Sequence, residues 1–194
     1  MLKRQNITAI ILAGGKSTRM GSDKGLMKLN DITFIQHILD AVKTHVNEIL
    51  IISNNEKHNT FGLKRYDDII PNVGPLGGIY TGLHHSKTEI NLVISCDVPM
   101  INSELISELL RNYSSEFDVI QTKSNKKTMP LVALYRKRCA LEAEKLIKEG
   151  QLRVRAFVAS RKLKTVDLSK RFETQLFNIN TPEQLKKVAH VITD

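Results

Sequence analysis

Apolar residues in this chain gather into short runs, separated by stretches in which they recur at every third or fourth position. The runs are "ITAIIL" (7–12), "EILIIS" (48–53), "NLVISC" (91–96), "FDVIQT" (117–122), "PLVALY" (130–135) and "LKTVDL" (163–168). Each has strand length, and several are apolar almost without a break, which predicts strands buried on both faces. Helix signals lie between them. Thr33 opens "TFIQ", a capping box with Gln36, ahead of Ile35, Ile38, Leu39 and Val42 at helical spacing. Gly78 to His85 reads as a short helix opening on glycines, Asn102 or Ser103 caps "ELISELLRNY", and "CALEAEKLIKEG" ends on Gly150. "NINTPEQ" (178–184) closes a short strand, then sets a capping box with proline at the first position of a last helix running to about Val191. The alternation of strand and helix predicts an α/β protein with a mostly parallel sheet.

Composition narrows the picture. A chain of 194 residues, 41% hydrophobic and without repeats, low-complexity tracts or linkers, fits a single domain over 1–194. The apolar run 7–13 is far short of the roughly 18 residues that span a bilayer, so a cytoplasmic protein without membrane contact is expected. Cys96 and Cys139 have no CxxC or metal-ligand spacing and read as reduced packing residues. The six histidines read as surface or boundary residues, with His84 and His85 pointing apart on their helix. No GxSxG elbow frames a nucleophile. The net charge of +9 raises the prospect of a polyanionic partner, but 5% scattered aromatics argue against nucleic acid, whose single-strand binders stack bases on aromatic rings.

"ILAGGKSTRMGSDKGL" (11–26) puts Gly14 and Gly15 directly after the first strand and spaces Lys16, Arg19 and Lys24 behind them. The carboxyl edge of the first strand is where open α/β sheets hold ligands, and glycines let consecutive backbone N–H groups turn toward an anion. The spacing fits neither the GxxxxGK[ST] loop nor GxGxxG. Several basic residues suit a triphosphate; a solvated basic turn is the alternative. Asp97 closes "NLVISC" at the same sheet edge, where a hard oxygen beside phosphates suits Mg²⁺, or where a turn aspartate satisfies backbone. "GPLGG" (74–78) supplies a second glycine turn whose N–H groups, Gly77 and Gly78 among them, can hold a base or ribose, with Asp68 accepting from either; a loop needing positive φ explains it equally. Asn180 can touch phosphate or metal-bound water, or simply satisfy its loop.

Taken together, "LAGGKSTRMGSDK", "GPLGG", "ISCDVPMI" and "NINTPEQL" resemble the molybdenum cofactor guanylyltransferases, or MobA family, within the glycosyltransferase-A-like nucleotidyltransferases. The resemblance implies a three-layer α/β/α sandwich, a Rossmann-like nucleotidyltransferase fold. It further implies transfer of GMP from GTP to molybdopterin or Mo-molybdopterin with Mg²⁺, and molybdoenzymes as recipients of the product. Carried over by position, Leu12, Ala13 and Gly14 contact the nucleotide through backbone, Gly15, Arg19 and Lys24 hold phosphates, Asp68 helps bind the nucleoside, and Asp97 binds nucleotide and metal. Asn180 and Arg153 fall on the acceptor side. The chain departs from the family at Leu152-Arg153, often a pair of arginines, and at Thr128-Met129-Pro130-Leu131, where a His-Pro-Thr loop is usual. A cytidylyltransferase on the same pterin, or an enzyme loading a sugar or polyol phosphate, is the alternative within the class.

Overall fold

The computed structural model describes residues 3–14 and 23–191. In chain order the elements are β1 (Ile7–Leu12), β2 (Lys28–Leu29), β3 (Ile32–Thr33), α1 (Phe34–Val42), β4 (Glu48–Ile52), β5 (Lys64–Tyr66), α2 (Pro75–His85), β6 (Ile90–Ser95) and α3 (Ser103–Arg111). They continue with β7 (Val119–Ser124), β8 (Lys127–Arg136), α4 (Cys139–Lys148), α5 (Val154–Ala159), β9 (Leu163–Asp167), α6 (Ser169–Phe172) and α7 (Pro182–Val191).

Among the described residues, seven strands form one sheet in the order β5-β4-β1-β6-β8-β7-β9, and only β8 runs antiparallel to its neighbours. Alternate side chains of β1 enter opposite cores. Ile7, Ala9 and Ile11 meet α1 and α3, while Ile10 and Leu12 meet α2, α4 and α5. That two-sided burial, each large aliphatic side chain contributing about 1.5–3 kcal/mol, is why the strand reads as an unbroken apolar run and why the fold has three layers.

From β1 the chain crosses by α1 to β4 on one side; from β5 it returns by α2 to β6 on the other. Crossovers of one hand running in opposite directions put α1 and α2 on opposite faces and open a crevice at the carboxyl ends of β1 and β6. α2 lies unusually close to the sheet. A Cβ on Gly82 would stand 2.3 Å from Ile10 Cγ2, and one on Gly78 would stand 3.1 Å from Leu12 Cδ2. Glycines four apart share a helix face, so this pair seats the start of α2 against the tip of β1.

Local signals hold where they were strong. Thr33 Oγ1 accepts from Gln36 N–H at 3.2 Å, and Asn102, not Ser103, caps α3 by accepting from Leu105 N–H at 2.9 Å. α2 starts at Pro75, earlier than Gly78, behind Gly74 at φ 67°. There is no strand at 178–180. Ile179 instead plugs a small core with Leu29, Phe34 and Val188, so the N-I-N alternation serves a loop. β5 went unread because its "KRY" is polar, and a strand that among the described residues stands at the sheet edge beside β4 needs no apolar run. Among the described residues no helix is long and apolar enough to cross a membrane.

Candidate active site

The tip of β1 is braced on both sides. Ala13 N–H donates to Ile52 C=O and Leu12 C=O accepts from Cys96 N–H, both at 3.0 Å, leaving Gly14 exposed at the edge. Asp68 arrives there from the end of β5. Its N–H donates to Asn54 Oδ1 at 2.8 Å, and Asn54 Nδ2 donates back to Asp68 Oδ2 at 3.3 Å. The carboxylate sits in a notch between the two glycine motifs: a Cβ on Gly14 would lie 3.8 Å from Oδ2, and one on Gly78 3.9 Å from Oδ1. Burial pushes the Asp68 carboxyl above its ordinary range, opposed by the Asn54 hydrogen bond and reinforced by Asp67. Gly77 faces away, toward Val73 and the Ile70 carbonyl. Asn54 was missed by sequence reasoning. Its one signal, a polar residue just past β4 at the ligand edge, does not stand out among its neighbours.

Asp97 emerges just past β6. Asn178 Nδ2 donates to its Oδ2 at 3.0 Å, and Ile179 N–H donates to its backbone carbonyl at 2.7 Å. Lys24 Nζ donates to Asn180 Oδ1 at 2.6 Å across 156 positions of sequence. Asn180 is held in turn, its N–H donating to Gln184 Oε1 at 2.7 Å, while Gln184 N–H donates to Thr181 Oγ1 at 3.3 Å in the cap of α7. The fold therefore joins Lys24, Asp97, Asn178 and Asn180. Gly15, Lys16 and Arg19 lie outside the described residues. Among the described residues no three His, Cys, Asp or Glu side chains are grouped to hold a metal ion; Asp97 offers a single hard carboxylate, the kind of ligand that Mg²⁺ takes.

Beyond Asp97 opens a cavity of about 740 Å³, within the usual size for small-molecule sites. Asp97, Asn178 and Asn180 form part of its wall, with Lys127, Arg153 and Arg155 elsewhere around it. Thr128 to Leu131 and Leu152-Arg153 line the cavity too. Gly14, Lys24 and Asp68 do not line it. The sheet edge thus carries a backbone-rich notch at β1 and a side-chain-lined cavity; Asp97 and Asn180 line the cavity, and Asp97 follows Cys96, which bonds the tip of β1.

No thiol competes as a nucleophile. Cys96 and Cys139 are buried and unpaired, and burial pushes each thiol up to about 12. The histidines need correction. His58 is fully buried, the His84 and His85 rings meet edge to face at 5.2 Å, and His85 is stacked on Tyr66 at 3.8 Å.

A family model described as "MobA-like NTP transferase domain" matches residues 9–166. A protein of Flavobacterium johnsoniae named "probable molybdenum cofactor guanylyltransferase" is 34% identical over 181 residues, covering 93% of this chain and 95% of its own. One of the same name from Clostridium perfringens is 36% identical over 188 residues, covering 91% and 93%. The crystal structure of molybdopterin-guanine dinucleotide biosynthesis protein A from Archaeoglobus fulgidus superposes with a TM-score of 0.81 over 96% of this chain and 98% of that one; at 22% identity, the likeness is one of fold.

Proposed function

This chain belongs to the MobA-like NTP transferase family, and from that premise we propose that it transfers GMP from GTP to the phosphate of molybdopterin or Mo-molybdopterin, releasing pyrophosphate. The observation that supports the reading is the position of Asp97, which lines the cavity and directly follows Cys96, whose N–H bonds the Leu12 carbonyl at the tip of β1, so that strand tip and cavity lie next to each other. An oxygen of the acceptor phosphate bonds to the α-phosphorus while the bond from that phosphorus to the β-phosphate bridging oxygen breaks. The attacking oxygen is already ionised near neutral pH, so the protein supplies alignment and charge stabilisation in place of a base or a covalent nucleophile.

The notch takes the nucleoside. Backbone at Leu12, Ala13 and Gly14 and the start of α2 at Gly78 let it approach closely, while Gly77, turned away, serves only the turn that opens the helix; Asp68, oriented by Asn54, accepts from the nucleoside. Guanine, whose ring N–H adjoins an amino group, offers a carboxylate two donors; cytosine's amino group is flanked by an acceptor. Lys24, with Gly15 and Arg19, holds the phosphates and stabilises the departing pyrophosphate. Asp97 would hold Mg²⁺, which supplies charge neutralisation on the phosphates. Asn180 and Arg153 orient the acceptor in the cavity, where Lys127 and Arg155 add positive charge.

The test is pyrophosphate release from GTP, CTP, ATP and UTP in parallel, with Mg²⁺, with and without molybdopterin. Release that needs the pterin and prefers GTP is expected. A preference for CTP would move the enzyme to the cytidylyl branch, and no release from folded protein would overturn the acceptor.

A further inference from the structure

His58 has none of its side chain exposed, and the chemistry above does not use it. It lies in the 3₁₀ turn Glu56–Phe61, after β4, and reaches across to the residue before Lys24. Nε2 stands 3.1 Å from Asp23 Oδ1 and Nδ1 2.7 Å from Ser53 Oγ. An ionised carboxylate only accepts, so Nε2 carries the proton toward Asp23. The Ser53 hydroxyl accepts from Asn55 N–H at 3.1 Å and shares a hydrogen bond with Nδ1. Asp23 is further held by Asn55 Nδ2, donating to Oδ2 at 2.6 Å, and by Gly25 N–H, donating to Oδ1 at 2.8 Å. These bonds outweigh burial and leave the Asp23 carboxyl below its ordinary range.

The network has a geometric purpose. Asp23 caps the 3₁₀ turn Lys24–Leu26, so holding it sets the backbone from which the Lys24 side chain springs. The anchoring residues Ser53 and Asn55 flank Asn54, which orients Asp68. One short segment after β4 thereby references both the phosphate-binding cation and the nucleoside acceptor to the same strand. Gly25 makes room for it: a Cβ there would lie 2.9 Å from His58 Nε2 and 2.7 Å from Ile35 Cδ1. We propose that His58 is a positioning residue for nucleotidyl transfer, acting through Asp23 to place Lys24. The inference rests on the function proposed above.

The test compares His58→Phe, which keeps a ring and loses both hydrogen bonds, with His58→Gln, whose amide can restore the donor to Asp23. For folded His58→Phe, kcat is expected to fall about tenfold or more with KM for molybdopterin within about twofold, and His58→Gln is expected to stay within about threefold of wild type. In a Lys24→Ala background, His58→Phe should change kcat by less than about twofold, since the partner it acts through is gone. Wild-type kcat in His58→Phe, or an undiminished loss in the Lys24→Ala background, would overturn the proposal. Should His58→Phe fail to fold, Gly25→Ala, which crowds Nε2 off Asp23, is read in the same way. Wild-type protein with no pterin-dependent turnover would sink the function while leaving His58 measurable: GTP binding by calorimetry should show non-additive losses for His58→Phe and Lys24→Ala, and additive losses would reject the coupling.

Discussion

Asp23 and Asp68 both stand near the end of β4, and their surroundings oppose each other. Asp23 takes hydrogen bonds from His58, Asn55 and Gly25, and its carboxyl is held below the ordinary range. Among the described residues the Asp68 carboxylate takes one long bond, from Asn54, and burial holds its carboxyl above that range. A carboxylate whose acceptors are filled by its own protein is a structural joint. One left short of donors in a notch between two glycines gains most when a ligand supplies them. Asp97, which among the described residues takes one side-chain bond, from the Asn178 amide, belongs with Asp68.

The contrast can be broken by experiment. Asp97→Ala should cut turnover by about 100-fold or more, about 2.7 kcal/mol of transition-state stabilisation, with an unchanged urea midpoint; substantial activity would remove Asp97 from the chemistry. Lys24→Ala should cost at least about tenfold in turnover, and near-normal rates would strip the Lys24–Asn180 contact of meaning. Asp68→Asn should raise KM for GTP by about fivefold and leave stability nearly intact, the outcome that the proposed contact between carboxylate and nucleoside requires. The wild-type advantage in GTP affinity should shrink as pH falls through the raised Asp68 pKa; an advantage independent of pH would mean that the carboxylate makes no contact. The smallest effect is on acid stability. Asp23, with its folded pKa below 3.8, stabilises the fold above its unfolded pKa, and that contribution fades as pH falls through the folded value. Asp68 acts with the opposite sign, favouring the fold as it is protonated. Urea unfolding at pH 3 and pH 6 should therefore show a smaller drop in Asp23→Asn than in Asp68→Asn.

Much of the architecture was legible in the chain itself, because the signals are short-ranged. Alternation and apolar runs marked β1, β4, β6, β7, β8 and β9; for β1 and β6, buried on both faces, almost no position is free to be polar. Thr33, Asn102 and Thr181 marked helix starts because a cap is made within three or four residues. The glycine motifs and Asp97 could be placed at one sheet edge, because open α/β sheets bind at strand ends.

What tertiary structure alone decided are the contacts between distant residues. Nothing local distinguishes β8 as the antiparallel strand, since a buried run reads the same in either direction. The Lys24–Asn180 bond and the Asp68–Asn54 pair depend on which strand tips become neighbours. His58 was misread because a polar residue in a polar segment looks solvent-facing, and only the packed fold brings Asp23, Ser53 and Asn55 around its ring. Local propensity is encoded over a few residues, whereas the pairing of buried polar groups is encoded only in the topology that makes them meet.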